Sequence, residues 1–137
     1  MSARSKSRKR ALDVLYAADA RSIDPLQVMS DRLDGPEPFE FGDYAESLIR
    51  GVVEHRRRID ELLAQHAQGW TVERMPAVDR AILRIGVFEL LYGVDVPAAV
   101  VIDEAVEAAK TLSTDNSPKF VNGVLGQILA VAPQLRE

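Results

Sequence analysis

Cysteine is absent from the 137 residues, so disulfides, thiolate nucleophiles and thiolate metal sites are all excluded. Aromatic residues make up only 6% of the chain, which leaves aliphatic side chains to build the core. Histidine occurs twice, at His55 and His66, 11 residues apart. Along a continuous helix that spacing is about 16 Å, too far to share a metal without ligands from elsewhere. No apolar run approaches the roughly 20 residues that cross a bilayer. Nothing behind the N-terminal charges is apolar for long enough to serve a secretory signal. The Gly-x-Ser-x-Gly elbow and the phosphate-cradling loops of nucleotide-binding enzymes are missing as well. The acids Asp103 and Glu107 share a helix face, a spacing that reads as a solvated surface rather than a catalytic dyad. These absences predict a cytoplasmic protein with no membrane contact, no metal or cofactor, and no catalytic centre.

What is present is an uneven charge distribution. The net charge is −4, yet the first ten residues contain Arg4, Lys6, Arg8, Lys9 and Arg10 and no acid. Without those five, 12 basic residues face 21 acids, so the rest of the chain carries about −9. An acidic body with a cationic arm over residues 1–10 suits a polyanionic ligand.

Periodicity predicts an all-α protein of about seven helices, one compact domain over 1–137 built as two packed sub-bundles. Alternating strand patterns and hairpin turns are lacking. The first helix begins within the arm and runs to about Ala20, with Leu12, Leu15 and Tyr16 on its apolar stripe. Asp24-Pro25 reads as a cap and first-turn proline for a helix to about Leu33. The stretch from Asp34 to Pro38 must be a loop. Further helices are expected from near Gly42 through Val53, around Ile59 to Leu63, from Pro76 through Leu91, from Pro97 through Lys110, and from Ser117-Pro118 onward. The sub-bundles are expected to divide at the Gly35–Pro38 loop or near Trp70. The helix after Pro76 is apolar almost all round, which implies burial on several sides. Gly123 and Gly126 inside the last helix each cost about 1 kcal/mol relative to alanine, which close approach of a neighbouring helix would justify.

Two segments carry binding chemistry. The arm leads straight into the first helix, so its cations gather where the macrodipole and free backbone N–H groups also attract phosphate. Five phosphate contacts on a single strand predict a log–log salt slope near −3.5, at about −0.7 per contact. The competing reading is a solubilising tail. The second segment, Asn116 to Leu125, places Lys119 and Phe120 at another helix start. Cations paired with an aromatic platform suit single-stranded RNA, whereas the plainer reading makes Phe120 core.

The segments AVDRAILRIGVFEL (77–90), Asp95-Val96-Pro97 with IDEAVEAAK (102–110), and KFVNGVL (119–125) occur in an order and spacing that resemble the NusB family of bacterial transcription antitermination factors. The arm followed by Ala11 to Tyr16 is similar to the start of that family, so the resemblance covers essentially the whole chain. It implies binding of the boxA element of nascent ribosomal transcripts, a heterodimer with the ribosomal protein NusE, and action on elongating RNA polymerase. By position it places the RNA surface at Arg4, Lys6, Arg8, Lys9, Arg10, Tyr16, Asn116, Lys119 and Phe120. The protein-partner surface falls on Glu73 and Asp79. Asn116 stands where the family often has an acid, which reduces repulsion of phosphate, and Pro118 removes a backbone donor beside Lys119. Some members self-associate over the RNA face, which leaves monomer and homodimer both open. Two other readings remain. The helical domain of certain ribosomal RNA cytosine methyltransferases is similar, but the Rossmann-like domain such catalysis needs is not among these residues. A purely protein-binding scaffold is the other.

Overall fold

A computed structural model describes residues 2–37, 40–67, 69–93 and 95–135. Seven α-helices follow one another: α1 (Ala3–Arg21), α2 (Pro25–Leu33), α3 (Asp43–Glu54), α4 (Arg56–His66), α5 (Ala77–Tyr92), α6 (Ala98–Leu112) and α7 (Ser117–Leu135). A 3-10 turn at Val72–Arg74 leads into α5, and no strand occurs among the described residues. The fold is all-α, as expected. Helices start where the sequence punctuates them. Asp24 accepts from the Leu26 N–H at 2.8 Å and Pro25 opens α2, while Pro76 and Pro97 stand immediately before α5 and α6. Of the expected loop, residues 34–37 are non-helical and Pro38 lies outside the described residues.

The basic arm is not a tail. Ser2 caps α1 by accepting from the Ser5 N–H at 3.0 Å, so Arg4 to Arg10 form its first turns. Helices α1, α2 and α3 pack on one another, and α4 packs with α5 and α7, which both pack on α6. The two sub-bundles therefore divide at the α3–α4 junction near His55, at neither of the two places expected. The Gly35–Pro38 segment connects two helices that both lie against α1, and Trp70 belongs to the second group.

Helix α5 is the shared element, touching α1, α3, α4, α6 and α7. All but a few of its residues are buried, including Asp79, Arg84 and Glu89. Arg84 binds both oxygens of Asp60 at 2.9 and 3.0 Å and reaches Asp19 at 3.2 Å. Asp19, the acid that interrupts the apolar stripe of α1, also takes Arg80 at 2.8 Å and Arg56 at 3.4 Å. Burial opposes charge on Asp19, but the Arg80 hydrogen bond and the Arg84, Arg80 and Arg56 charges prevail and hold its pKa below the usual carboxylate value.

The close-approach glycines are not those expected. Nothing stands within 4 Å of where a Cβ would sit on Gly123 or Gly126, both on the outer face of α7. Gly51 instead carries the Phe88 ring 2.1 Å from that point, and Gly86 meets Leu125 at 2.9 Å. A methyl group at Gly51 would occupy the space of that ring, so the α3–α5 crossing requires glycine.

Gly126→Ala is expected to raise stability by about 1 kcal/mol through helix propensity. Gly51→Ala is expected to lower it by about 1–3 kcal/mol through overpacking. Urea denaturation of the two variants reads both, and equal shifts would contradict this placement. A second expectation concerns acid. With its folded pKa depressed, Asp19 contributes stability above its unfolded pKa, near 4, and loses that contribution as pH falls through the folded value. Asp19→Asn should cost about 2–3 kcal/mol at pH 7 and flatten the fall in stability below pH 4, measured by denaturation across pH.

Candidate nucleic-acid interface

Because α1 is helical from Ala3, the cations of the arm point to different sides. Lys6, Lys9, Asp13 and Tyr16 are exposed and recur at helical spacing, so they form one outward stripe. Tyr16 is 44% exposed, with its ring on the surface. Arg8 faces the opposite way. Its guanidinium grips both oxygens of Glu89 at 2.8 Å each, and Glu89 is only 1% exposed. Tyr44 donates its hydroxyl to the same carboxylate at 2.5 Å. Burial works against the Arg8 charge, but the Glu89 hydrogen bonds and charge outweigh it and raise its pKa further. Burial, and then the Glu89 bond, push the Tyr44 hydroxyl up to about 12. Arg8 is thus engaged within the fold: its Nε and Nη2 hold Glu89, and its Nη1 lies 3.5 Å from Glu104.

Arg4 is intermediate in character. It pairs with Asp95 at 2.8 Å and lies 4.6 Å over the Tyr44 ring. Next to it, Ser5 donates to Glu104. Arg10 is half-buried and donates to the Phe41 carbonyl at 3.4 Å. Of the five arm cations, Lys6 and Lys9 are the ones on open surface.

The second segment begins α7. Helix starts at Ser117 itself, with Asn116 in the cap position, its carbonyl accepting from the Phe120 N–H at 3.2 Å. Ser117 turns inward, donating to Asp79 at 2.8 Å and accepting from the Thr114 N–H at 3.2 Å. Pro118 lies in the first turn, where a missing donor is tolerated. Asn116 and Lys119 are exposed, while Phe120 is half-buried against the core. Its ring meets Trp70 edge-on, with centroids 6.3 Å apart.

The expected partner carboxylates separate. Glu73 is exposed on the 3-10 turn. Asp79 is 2% exposed, with one oxygen bound to Ser113 and the other to Ser117. In this structure Asp79 clamps the α6–α7 turn onto α5, and Glu73 is the expected partner carboxylate that stands on the surface. A cleft of about 140 Å³ opens between α1, α5 and α6, floored by Leu12, Ile82 and Ile85 and edged by Glu104 and Glu107. Among the described residues no group of three His, Asp or Glu side chains could hold a metal ion. None of their helices is long and apolar enough to cross a membrane.

Helix α1 runs antiparallel to α5, since Arg8 meets Glu89 while Asp19 meets Arg80 and Arg84. The ten residues from Glu89 to Asp79 span about 15 Å of α5. The Lys6–Tyr16 stripe therefore leads from one end of α5 toward the end where α7 begins.

Residues 5–130 match the NusB family. The chain belongs to the NusB family. It is 56% identical to the transcription antitermination protein NusB of Saccharopolyspora erythraea, over 99% of this chain and 93% of that one. NusB of T. maritima superposes with a TM-score of 0.85 at 35% identity, covering 98% of this chain and 96% of that one. The NusB chain of a complex of antitermination factors NusB and NusE with double-stranded RNA superposes with a TM-score of 0.80 at 28% identity, over 93% and 96% of the two chains.

Three residues that shape this region of the NusB-family chain escaped sequence reasoning. Glu89 sits in the central, most enclosed helix, and an acid there signals a buried cation partner. Tyr44 gave no signal, because its contact with Glu89 spans 45 residues. Trp70 was legible only as a helix boundary. Arg8→Ala, which strands Glu89, is expected to cost about 3–5 kcal/mol. Lys6→Ala/Lys9→Ala should change stability by less than about 1 kcal/mol. Chemical denaturation distinguishes the two, and an unaffected Arg8→Ala would return Arg8 to the surface set.

Proposed function

We propose that this chain is a non-catalytic antitermination factor whose described helices act as one RNA-binding domain. It binds boxA-type single-stranded RNA of nascent ribosomal transcripts together with NusE and acts on elongating RNA polymerase from the cytoplasm. The observation that carries this reading is the exposed stripe of Lys6, Lys9 and Tyr16, with Asp13 among them, on a capped helix, together with the exposed Asn116 and Lys119 beside Phe120 at the start of α7. Cations beside exposed rings on a firm support match a flexible strand, whose phosphates take the lysines and whose bases are open to stacking. The related NusB seen with NusE and RNA supports both partners. NusE, a basic ribosomal protein, suits the acidic side of the molecule, where Glu73 and the Glu104 and Glu107 edge of the cleft offer complementary charge. A second copy seated on the stripe would compete with RNA, so self-association and RNA binding should oppose one another.

Fluorescence anisotropy of a labelled boxA oligonucleotide, with and without NusE, tests this. Lys6→Ala/Lys9→Ala/Lys119→Ala should weaken binding at least tenfold at low salt, and NusE should tighten it. With Arg8 internal and Arg4 engaged, three lysine contacts give a log–log salt slope of about −2 rather than −3.5. RNA binding unaltered by the triple substitution would overturn the interface. Binding of NusE but never of RNA would leave a protein scaffold.

A further inference from the structure

The largest aromatic side chain of the molecule lies at its surface. Trp70 is 47% exposed, and it is the only tryptophan of the sequence. It follows Gly69, whose φ of +82° is a left-handed conformation that glycine adopts without strain, and its own N–H is held by the Ala67 carbonyl at 3.2 Å. The following turn is fastened from below, because Arg80 donates to the carbonyls of Val72 and Glu73 at 3.1 and 3.2 Å. Trp70 is thus an exposed ring on a segment with fixed ends. Its edge meets Phe120 at 61°, an edge-to-face arrangement that braces the indole while leaving nearly half of the residue in solvent.

The exposed residues nearest in sequence to the two rings carry charge of both signs, with Glu73 beside Arg74 on the turn. Lys119 adjoins Phe120 on the exposed side of α7, and Arg74 is exposed four residues after Trp70. Gly123 lies one helical turn beyond Phe120, with nothing within 4 Å of the space its side chain would fill. A planar group resting on the indole would lie next to Phe120, whose neighbour Lys119 is exposed, and would meet no side chain at the Gly123 turn. An apolar peptide would gain from the rings but not from the lysine and arginine; a nucleotide uses both.

We infer that Trp70, braced by Phe120, is a stacking subsite for one base of a single-stranded RNA, with Lys119 taking an adjacent phosphate. This rests on the RNA-binding reading above and adds to it a second anchoring point, off the α1 stripe. A base clamped here would fix the register of the strand on the protein, which lysines alone cannot do because every phosphate is alike.

The lone tryptophan makes the test direct. Trp70 emission is followed while the labelled boxA oligonucleotide is titrated into the full-length parent, and anisotropy is read in the same samples. Quenching whose midpoint coincides with that of the anisotropy is the expected result. Trp70→Ala should weaken binding by about 5- to 100-fold, in line with the loss of one stacked base. Trp70→Phe, which retains a π face and serves as a control for folding, should stay within about threefold of the parent. Anisotropy that reports binding while the emission stays constant overturns the subsite and leaves the RNA-binding reading intact. So does a Trp70→Ala variant that is folded by circular dichroism and binds like the parent. Emission that responds to NusE but not to RNA reassigns the patch to a protein and also overturns it. Absence of any RNA binding by anisotropy defeats the functional reading itself.

Discussion

Helix α5 is surrounded on all sides, and a helix in that position cannot leave a charged side chain unpartnered. It nevertheless carries Asp79, Arg84 and Glu89 in its buried surface. Their spacing of five residues turns each about 140° from the one before, so the three radiate in three directions. Each direction meets a different part of the fold. Asp79 takes the serines of the α6–α7 turn, Arg84 takes acids of α1 and α4, and Glu89 takes Arg8 of α1 and Tyr44 of α3. Hydrophobic contact would hold these helices together in several registers. A buried ion pair left unmade costs several kcal/mol, so these three contacts select one register. Among the described residues no buried side-chain nitrogen or oxygen lacks a partner.

Both faces assigned to binding depend on that arrangement. The Arg8–Glu89 pair holds the first turns of α1 against α5, and this turns Lys6 and Lys9 outward. The Asp79 clamp does the same for α7, setting Asn116 and Lys119 on the surface and Phe120 at its edge. Cations of one short run therefore divide between two tasks. One member secures the helix, and its neighbours on the other side are left to meet a ligand. Net charge cannot express this division, since Arg8 and Lys9 count equally in a sum.

Local chemistry explains what was legible beforehand. Proline and aspartate at 24–25, proline at 76 and proline at 97 mark helix starts through their own backbone limits, and the starts fall there. The dense apolar pattern of α5 announced a buried helix. The division into sub-bundles, the inward turn of Arg8 and the burial of Asp79 were not legible, because each depends on partners 34 to 81 residues away. Reading Gly123 and Gly126 as close-packing positions failed for a related reason. Periodicity places them on a helix but does not say which neighbours exist, and the tight crossings fall at Gly51 and Gly86. A signal was nonetheless present in α5. Three charges inside so apolar a helix require three counter-groups, and the arm held a surplus of arginine.

The sparse free charge also constrains how RNA can be held. A body carrying about −9 outside its first ten residues repels a polyanion, and the open lysines on the two helix starts are few. Such a set gives a shallow salt dependence and little affinity by itself. Useful binding must then draw on contacts that salt does not screen, which means rings against bases and a second protein that adds positive charge. Duplex RNA buries its bases in the helix stack and withholds the first of these. Under the proposed function, an acidic helical body with few open cations gains most from exposed bases and from a partner that adds positive charge.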